Sequence, residues 1–405
     1  MTTTTAMSLF EAIGQAPADP ILGLTEAFRA DANPGKINLT VGVYQDESGT
    51  TPVLACVKEA QRQLLQVETS KSYKPITGDP TYGRLVQELM LGGDHEIVTS
   101  GRACTAHTPG GTGALRVAGD YIHHNHPDAT LWLSAPTWAN HEQVFAHAQV
   151  PTKTYPYFDL ATNGLDFGVM RDAIKAIPAG DVVLLHGCCH NPTGVDPLPD
   201  QWAQIADILI NNGVLPLVDF AYQGFGKGLT EDTAGLQQLA RPGQEMIICS
   251  SFSKNFGLYN ERTGAATFVA RDADAAGRVF SQVKRCIRAN YSNPPAHGGA
   301  IIAVILEDPQ LRSQWQHELT QMRERITGMR QLFVEMLKDH GVKRDFSFIK
   351  QQNGMFSFSG LSREHVETLR RDYSIYIVGS GRINVAGITP DNIDALCQAI
   401  ASVLD

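Results

Sequence analysis

Short apolar runs alternate with helix-length amphipathic stretches between about residues 100 and 270, and this alternation constrains the fold more than any other feature. The runs cover residues 129–134, 181–186, 214–219 and 246–249. Between them, the stretch 201–210 places Trp202, Ile205 and Leu209 at helical spacing, which predicts a helix with one apolar face. Continuously apolar runs separated by helices are typical of a parallel sheet covered on both faces. We therefore expect an α/β domain.

The C-terminal part of the chain follows a different pattern. A long amphipathic helix is predicted over roughly 309–340, and strand-like segments follow at 354–359 and 373–378. Thr389 before Pro390 predicts the start of another helix, because proline is favoured at the first helical position. These elements predict a smaller α+β unit.

The chain has 405 residues, which is more than one compact core usually contains. We predict a large domain over residues 52–321 and a small domain over 322–405. The first 51 residues are predicted to form an N-terminal arm and part of the small domain.

The composition is that of an ordinary soluble globular protein, with 43% hydrophobic and 19% charged residues. A net charge of -9 argues against nucleic acid or an anionic membrane as the main partner. No apolar run approaches the ~20 residues that span a bilayer, and the first residues lack the pattern of a secretion signal. Seven cysteines without a Cys-x-x-Cys pair favour a reducing compartment, so we expect a cytoplasmic protein.

Ligands of open α/β sheets bind outside the carboxyl ends of the parallel strands, so the residues after each apolar run predict the site. After the short run 105–107, the string TPGGTG at 108–113 opens a helix. Glycines at a helix N-terminus let free backbone N–H groups reach an anion, and Thr112 adds a hydroxyl. The string is neither a dinucleotide fingerprint nor a Walker loop, and a plain glycine-rich turn would also explain it.

The later strand ends carry other functional groups. They are an indole at Trp138, an amide at Asn191, a carboxylate and a phenol at Asp219 and Tyr222, and two cations at Lys254 and Arg262. A carboxylate that ends so apolar a strand is costly unless it holds a cation or a hydrogen-bond donor. A flat, phosphorylated, cationic heteroaromatic aldehyde would use all of these groups. Pyridoxal 5'-phosphate (PLP) is such a molecule.

The segment SFSKNFGLYNER at 251–262 closely resembles the cofactor-lysine region of class I, fold-type I aminotransferases of the aspartate and aromatic amino acid group. Further strings agree with this family in the same order: VGVY (41–44), TPGGTGALR (108–116), HNPTG (190–194), DFAYQGF (219–225), RANYSNPP (288–295) and SGRINVA (380–386). The resemblance extends from about residue 8 to the C-terminus. It implies a fold-type I PLP-dependent transferase, with a mainly parallel seven-stranded sheet between helices and a smaller α+β domain.

The resemblance implies roles around the cofactor. Lys254 would bind the cofactor aldehyde covalently and later move the proton between the substrate Cα and the cofactor. Asp219 would pair with the pyridinium nitrogen, and His141 would support Asp219. The other contacts would be hydrogen bonds to the 3'-oxygen from Tyr222 and Asn191, stacking by Trp138, and phosphate contacts from Gly111, Thr112, Ser251 and Arg262.

The resemblance also implies how substrate is recognised. Arg382 would hold the α-carboxylate in paired hydrogen bonds, and Arg288 would hold a distal carboxylate from the neighbouring subunit. Phe356 and Gly42 would line the site. Tyr73 would reach the cofactor from the neighbouring subunit, which implies a homodimer with shared active sites.

The predicted reaction is the ping-pong transfer of the amino group of L-aspartate to 2-oxoglutarate, with oxaloacetate and L-glutamate as products. The alternative is an aromatic amino acid aminotransferase or an enzyme of dual specificity. Four residues are similar to the aspartate group and two match neither group: Val43, Thr51, Thr112 and Asn293, and then Gln45 and Ser72. More distant alternatives are a nucleotide-dependent oxidoreductase, which would lack its fingerprint, and a non-catalytic binding protein, which would not need Lys254.

Two histidine pairs contain plausible ligands for a metal ion. His186 and His190 belong to a strand-to-loop turn that does not align them, and His123 and His126 belong to a polar helix end. We therefore predict no functional metal.

Overall fold

A computed structural model describes residues 10–11, 13–16 and 22–404. The strands are β1 (Ile37–Asn38), β2 (Ala103–Pro109), β3 (Leu131–Ala135), β4 (Thr152–Pro156), β5 (Phe158–Asp159), β6 (Gly164–Leu165), β7 (Val182–His186), β8 (Leu215–Phe220), β9 (Met246–Ser251), β10 (Thr263–Val269), β11 (Phe356–Phe358), β12 (Ile375–Tyr376) and β13 (Arg382–Asn384). The α-helices are α1 (Leu22–Ala30), α2 (Ala55–Val67), α3 (Pro80–Leu91), α4 (Glu96–Thr99), α5 (Gly110–Asn125), α6 (Asn140–His147), α7 (Phe167–Lys175), α8 (Pro199–Asn212), α9 (Ala234–Leu239), α10 (Ala273–Asn290), α11 (Ala296–Glu307), α12 (Pro309–Asp339), α13 (Arg363–Tyr373) and α14 (Ile393–Leu404). Short 3₁₀ helices cover Glu231–Thr233, Ser347–Gln351 and Val385–Gly387.

Seven strands form the central sheet in the order β2-β10-β9-β8-β7-β3-β4. β10 runs antiparallel to both of its neighbours, and the other adjacent pairs are parallel. The mainly parallel seven-stranded sheet is therefore confirmed. The four long apolar runs of the sequence correspond to β3, β7, β8 and β9, with ends that agree within two residues.

Helices cover the sheet on both faces, as the apolar runs predict. Along β7, Val182 and Leu184 join the core beneath α5, α6 and α10. The alternate residues Val183 and Leu185 join the larger core, to which α2, α3, α8 and α11 contribute. A strand whose two faces are both buried must be apolar at every position, which explains the unbroken runs. Within the described part of the chain, no helix is long and apolar enough to cross a membrane.

The register of the sheet brings the ends of several strands to one edge. Asp219 lies opposite His186 on one side and Cys249 on the other. Gly264, near the start of the antiparallel β10, lies opposite Thr108 and Ser251 near the ends of β2 and β9. The functional groups that follow these strands are therefore neighbours in space.

The long helix predicted over 309–340 is confirmed as α12. Asp308 caps its first turn, since its carboxylate accepts hydrogen bonds from the N–H groups of Gln310 (2.8 Å) and Leu311 (3.2 Å). α12 packs on α2 and α11 and also on α14, so it connects the sheet region to the C-terminal elements.

The C-terminal elements include two small pairings. β11 pairs antiparallel with β13, and β1 pairs parallel with β12, so residues 37–38 lie against residues 375–376. The domain boundaries at 51/52 and 321/322 stay predictions. Of the predicted N-terminal arm, residues 1–9, 12 and 17–21 lie outside the described residues.

Two local predictions in the C-terminal part are wrong. The last helix begins at Ile393 and not at Pro390; a turn precedes it, in which Thr389 O accepts from the N–H groups of Asn392 (3.2 Å) and Ile393 (3.1 Å). The strand predicted at 373–378 is reduced to β12, since α13 continues through Tyr373.

Candidate active site

An anion cradle forms where β2 meets the N-terminus of α5. Gly110 opens this helix with φ +71°, and a Cβ there would lie 2.4 Å from Nη2 of Arg262. A Cβ on Gly111 would lie 2.9 Å from Cβ of Ser251. The two glycines therefore let a guanidinium and a serine approach the free N–H groups of a 16-residue helix. This is a site for a compact anion such as a phosphate group.

Serine hydroxyls extend the cradle. Oγ of Ser251 donates to Oγ of Ser253 (3.2 Å), and Arg262 donates to Oγ of Ser253 (3.3 Å) and to Tyr259 O (3.0 Å). Ser251 and Ser253 are each 4% exposed, whereas Thr112 is partly buried in the first turn of α5. The predicted phosphate contacts therefore lie around one small volume.

Lys254 follows β9 and lies next to this cradle. Its Nζ is 4.6 Å from the centroid of the Tyr222 ring. Loss of hydration lowers the pKa of Lys254 to about 8; Asp219 acts in the opposite direction, while Arg262 and Arg382 lower the pKa further. An amine with this pKa is partly neutral near pH 8, as a nucleophile or a proton acceptor must be.

Asp219 ends β8 and is held by a chain of buried polar groups. His141 is fully buried, and its Nε2 lies 3.1 Å from Oδ2 of Asp219. Oγ1 of Thr137 lies 2.8 Å from Nδ1 of His141 and 3.2 Å from Nε2 of His186. Burial favours a raised pKa for Asp219, but the hydrogen bond from His141 and the charges nearby, including Lys254, outweigh it and lower the pKa. Asp219 is therefore a carboxylate, and it suits a cationic ring nitrogen.

Arg382 comes from β13, far along the chain from the sheet. It is 4% exposed, and its Cζ lies 4.1 Å from the centroid of the Phe356 ring. Nη2 donates to Thr40 O (2.6 Å) and Nη1 to Oδ1 of Asn191 (3.3 Å). Among the described residues, no hydrogen-bond acceptor and no carboxylate meets its buried Nε. A buried cation with an unpaired donor is costly, so this group calls for an anionic ligand.

Three further predicted residues, Tyr222, Gly42 and Trp138, contact members of this site. Tyr222 is 6% exposed, its pKa is raised above the usual range by burial, and its ring packs edge-to-face with Phe356 at 6.1 Å. A Cβ on Gly42 would lie 2.4 Å from Cζ of Phe356, so glycine allows this close approach. Trp138 is partly buried, and its ring packs edge-to-face with His141 at 5.2 Å.

Two predicted site residues, Tyr73 and Arg288, do not contact the residues around Lys254 within the single chain. Tyr73 is 93% exposed. Arg288 is exposed on α10 and hydrogen-bonds Oγ of Ser292. Within the described structure, neither makes a hydrogen bond, ion pair or ring contact with the residues around Lys254. Both were predicted to act from a neighbouring subunit, and that prediction stays open at this level.

The sequence reading missed the polar chain behind Asp219. Thr137 and His186 were not assigned to the site, although both lie beside residues that were. His190 extends the cluster, since its ring stacks on Tyr157 at 4.0 Å and its Nε2 lies 2.9 Å from Oγ of Ser134. The repeated histidines of the string HGCCH at 186–190 are the signal that could have indicated a buried polar network.

Cys188, Cys189 and Asp232 lie close enough together to be considered as metal ligands. Burial raises the pKa of Cys189 to about 11, so its thiol stays protonated. The Asp232 carboxylate already accepts hydrogen bonds from the N–H groups of Gly224, Gly226 and Lys227. This carboxylate organises its own turn, and the absence of a functional metal stays a prediction.

Comparisons with known proteins show what the chain is similar to. Residues 34–400 match the family "Aminotransferase class I and II". An aspartate aminotransferase of Escherichia coli (strain K12) is 55% identical over 396 residues, which cover 98% of this chain and all of that protein. An aromatic-amino-acid aminotransferase of Pseudomonas aeruginosa is 46% identical, with 98% of this chain and 99% of that protein covered. The crystal structure of an aromatic-amino-acid aminotransferase from Burkholderia pseudomallei, covalently bound to pyridoxal phosphate, superposes with a TM-score of 0.96 at 46% identity, covering 98% of this chain and 100% of that one.

Proposed function

This chain belongs to the class I and II aminotransferases, and from that premise we propose that it transfers the amino group of L-aspartate to 2-oxoglutarate with the help of PLP. The observation that carries the proposal is the buried guanidinium of Arg382, whose Nε has no partner among the described residues, close to Lys254, because it joins a carboxylate site to a reactive amine. Membership of this family excludes the nucleotide-dependent oxidoreductase and the non-catalytic binding protein.

The described residues fit PLP. The cradle of Gly110, Gly111, Ser251 and Arg262 matches a phosphate group, and a Cβ on either glycine would fill it. Asp219 matches the protonated ring nitrogen. When bound, PLP supplies an electron-withdrawing ring that makes the Cα–H of an attached amino acid acidic.

The chain itself positions the reactants and handles the proton. Lys254 would take the proton from the substrate Cα and pass it to the former aldehyde carbon of the cofactor within the same half-reaction, and the second half-reaction would need the reverse transfer, which its lowered pKa favours. Arg382 orients the substrate through its α-carboxylate, with Phe356 beneath the guanidinium. Asp219 keeps a fixed negative charge at the ring nitrogen.

The remaining cofactor contacts are proposed from the family resemblance. Tyr222 and Asn191 are buried beside Lys254 and Arg382, and we assign them to the 3'-oxygen of the ring. Trp138 would cover one face of the ring, and Thr112 would complete the phosphate site. His141 holds the Asp219 carboxylate in place.

The active unit is proposed to be a homodimer. Arg288 and Tyr73 are exposed on the single chain, although the family resemblance gives both of them a place in an active site. Further apolar side chains, Val53, Leu65 and Val67, are exposed in or beside α2. Exposed apolar side chains of this size favour burial against another protein surface. A second copy of the chain would cover them and bring Arg288 and Tyr73 to the neighbouring site.

The cytoplasm is the proposed location. The seven cysteines are all free thiols, and six of them are buried. Free cysteines without disulfide partners favour a reducing compartment.

Replacing Arg288 with alanine tests the choice of substrate. A distal carboxylate loses its hydration in the site, and only a cation offsets that loss, whereas an aromatic ring needs no such partner. Removing one partner of a buried charge pair costs ~2–5 kcal/mol, so kcat/KM for aspartate should fall by roughly 30- to 5,000-fold. The value for phenylalanine should fall far less or rise.

The measurement follows turnover of aspartate, tyrosine and phenylalanine with 2-oxoglutarate as acceptor. Equal losses of kcat/KM for aspartate and phenylalanine would mean that Arg288 does not bind the side-chain carboxylate of the substrate. Faster turnover of phenylalanine than of aspartate in the wild type would favour the aromatic alternative.

Mixed dimers test whether the active sites are shared. Lys254→Ala and Arg288→Ala each damage both sites of their own dimer. In a hybrid of the two variants, one site keeps its own Lys254 and receives Arg288 from the partner copy. Random reassociation of equal amounts should therefore recover about a quarter of the wild-type activity toward aspartate.

The control hybrid combines Lys254→Ala with Asp219→Ala, two residues that lie in the same site. No intact site can form in this hybrid, and activity should stay at background. If the first mixture recovers no more than the control, Arg288 and Lys254 do not come from different subunits.

A further inference from the structure

Arg330 is a buried cation that lies outside the proposed substrate site. It projects from the second half of α12 and is 3% exposed. Among the described residues, no carboxylate forms an ion pair with Arg330. Burial lowers its pKa to about 10, so the guanidinium remains charged at neutral pH. A buried charge without a counter-ion is costly, and its hydrogen bonds must offset that cost.

Within the described part of the chain, the side-chain hydrogen bonds of Arg330 go to one short segment, residues 354–357. Nη2 donates to Gly354 O (2.5 Å) and to Phe356 O (3.4 Å), and Nε donates to Oγ of Ser357 (3.3 Å). Among the described strands, β11 pairs with β13 alone. Gly354 lies in a bend just before β11, so the guanidinium binds one carbonyl group at the entry to the strand and one within it. Arg330 thus ties β11 and the bend before it to α12.

The backbone of this segment is held under tight packing. Gly354 has φ +79°, and a Cβ there would lie 2.5 Å from Cβ of Cys189. A Cβ on Gly194 would lie 2.7 Å from Phe356 O. The segment is therefore pressed against the loop that carries Asn191, and its carbonyl groups have little room for another arrangement.

β11 also contains Phe356, which lies beneath the group proposed to bind the α-carboxylate. The ring of Phe356 lies under the guanidinium of Arg382 at 4.1 Å. In the strand pairing, Phe358 lies opposite Arg382. A shift of β11 would therefore displace the ring beneath Arg382 and the strand from which Arg382 projects.

We infer that Arg330 is a positioning residue, which orients Arg382 for the substrate α-carboxylate by fixing the carbonyl groups of β11. The inference rests on the proposed function, because that function assigns the α-carboxylate to Arg382. Every amino acid and every 2-oxo acid presents this carboxylate. Loss of Arg330 therefore weakens the binding of all substrates by a similar factor and leaves the preference between aspartate and phenylalanine unchanged.

Arg330→Met tests this role, because methionine fills a similar volume without hydrogen-bond donors. KM for aspartate and for phenylalanine should each rise by about 10-fold, with a smaller change in kcat, since binding of the shared carboxylate weakens. Arg330→Lys keeps the charge and one donor group, and its KM values should lie between those of the wild type and Arg330→Met. Ser357→Ala removes only the acceptor of Nε and should raise KM less than Arg330→Met does.

Arg102→Met is the matched control. Arg102 is 2% exposed and also binds backbone carbonyl groups, those of Gln244 (2.8 Å), Ala270 (2.9 Å) and Arg241 (2.9 Å). It lies just before the start of β2, whereas the site lies beyond the end of β2, at the other end of the strands. Its loss should lower Tm and leave KM unchanged.

Unchanged KM values in folded Arg330→Met would overturn the inference, and so would an equal rise in KM for Arg102→Met. If Arg330→Met does not fold, the KM values of Arg330→Lys and Ser357→Ala decide in the same way. A wild-type protein without aminotransferase activity would instead overturn the proposed function.

Discussion

Replacing Lys254 with alanine should lower the turnover of aspartate by about 10⁴-fold, the upper end of what a positioned proton acceptor contributes. Lys254 combines a pKa lowered to about 8 with a place next to the anion cradle and Asp219. Alanine removes the amine that we propose both as the nucleophile for the cofactor aldehyde and as the base for the Cα proton. The Tyr222 ring, over which the amine lies, loses a cation contact but keeps its packing against Phe356.

The measurement combines turnover with the mass of the cofactor-bearing peptide after borohydride reduction. Wild-type protein should carry the added mass on Lys254, and the variant should carry none. Lys153→Ala is a suitable control, since Lys153 also lies over an aromatic ring, that of Trp132 at 5.3 Å, but is exposed on the edge strand β4. Covalent cofactor and full activity in Lys254→Ala would show that another amine does this work.

Replacing Asp219 with alanine should slow the chemical step by ~10²-fold or more, as is usual for groups that stabilise charge in a transition state. The carboxylate is held by His141, and its lowered pKa keeps it negative at neutral pH. Without it, the cofactor ring nitrogen loses its counter-charge and withdraws electrons less well. The cradle around Gly110 and Arg262 is untouched, so the cofactor should still bind through its phosphate.

Single-turnover rates with aspartate, measured at saturating PLP, separate this effect from weaker cofactor binding. Asp181→Asn is the matched control. Asp181 is also buried and also accepts a ring N–H, from Nε1 of Trp132 (2.8 Å), but it precedes β7 at the opposite edge of the sheet. This control should lose stability and keep its rate. A rate within threefold of wild type for Asp219→Ala would exclude the proposed role.

Much of the fold and part of the site could be predicted from the sequence, because the relevant signals are local. Continuous apolar runs indicate strands buried on both faces, and β7 and β9 are buried along their whole length. Parallel strands present their carboxyl ends at one edge, so Asp219 and Lys254 could be placed together before any contact was known. The resemblance to a family added Arg382 and Phe356, which no local pattern would join to that edge.

The details that tertiary structure decided depend on contacts between distant segments. The polar chain from Asp219 through His141 and Thr137 depends on how β8 and α6 pack, because hydrogen bonds require positions within a few tenths of an ångström.

The apolar runs predicted four strands of the central sheet, and the residues that follow them predicted a phosphorylated ligand with a cationic ring. Only the folded chain shows that Arg382 is buried with an unpaired Nε and that Arg330 binds the strand beneath it. The physical reason is that hydrophobic periodicity reports which face of an element is buried, and says nothing about which segment buries it. Burial against a particular neighbour sets the free-energy cost of each polar group that has no hydrogen-bond partner. A buried polar group without a partner therefore indicates where a ligand binds.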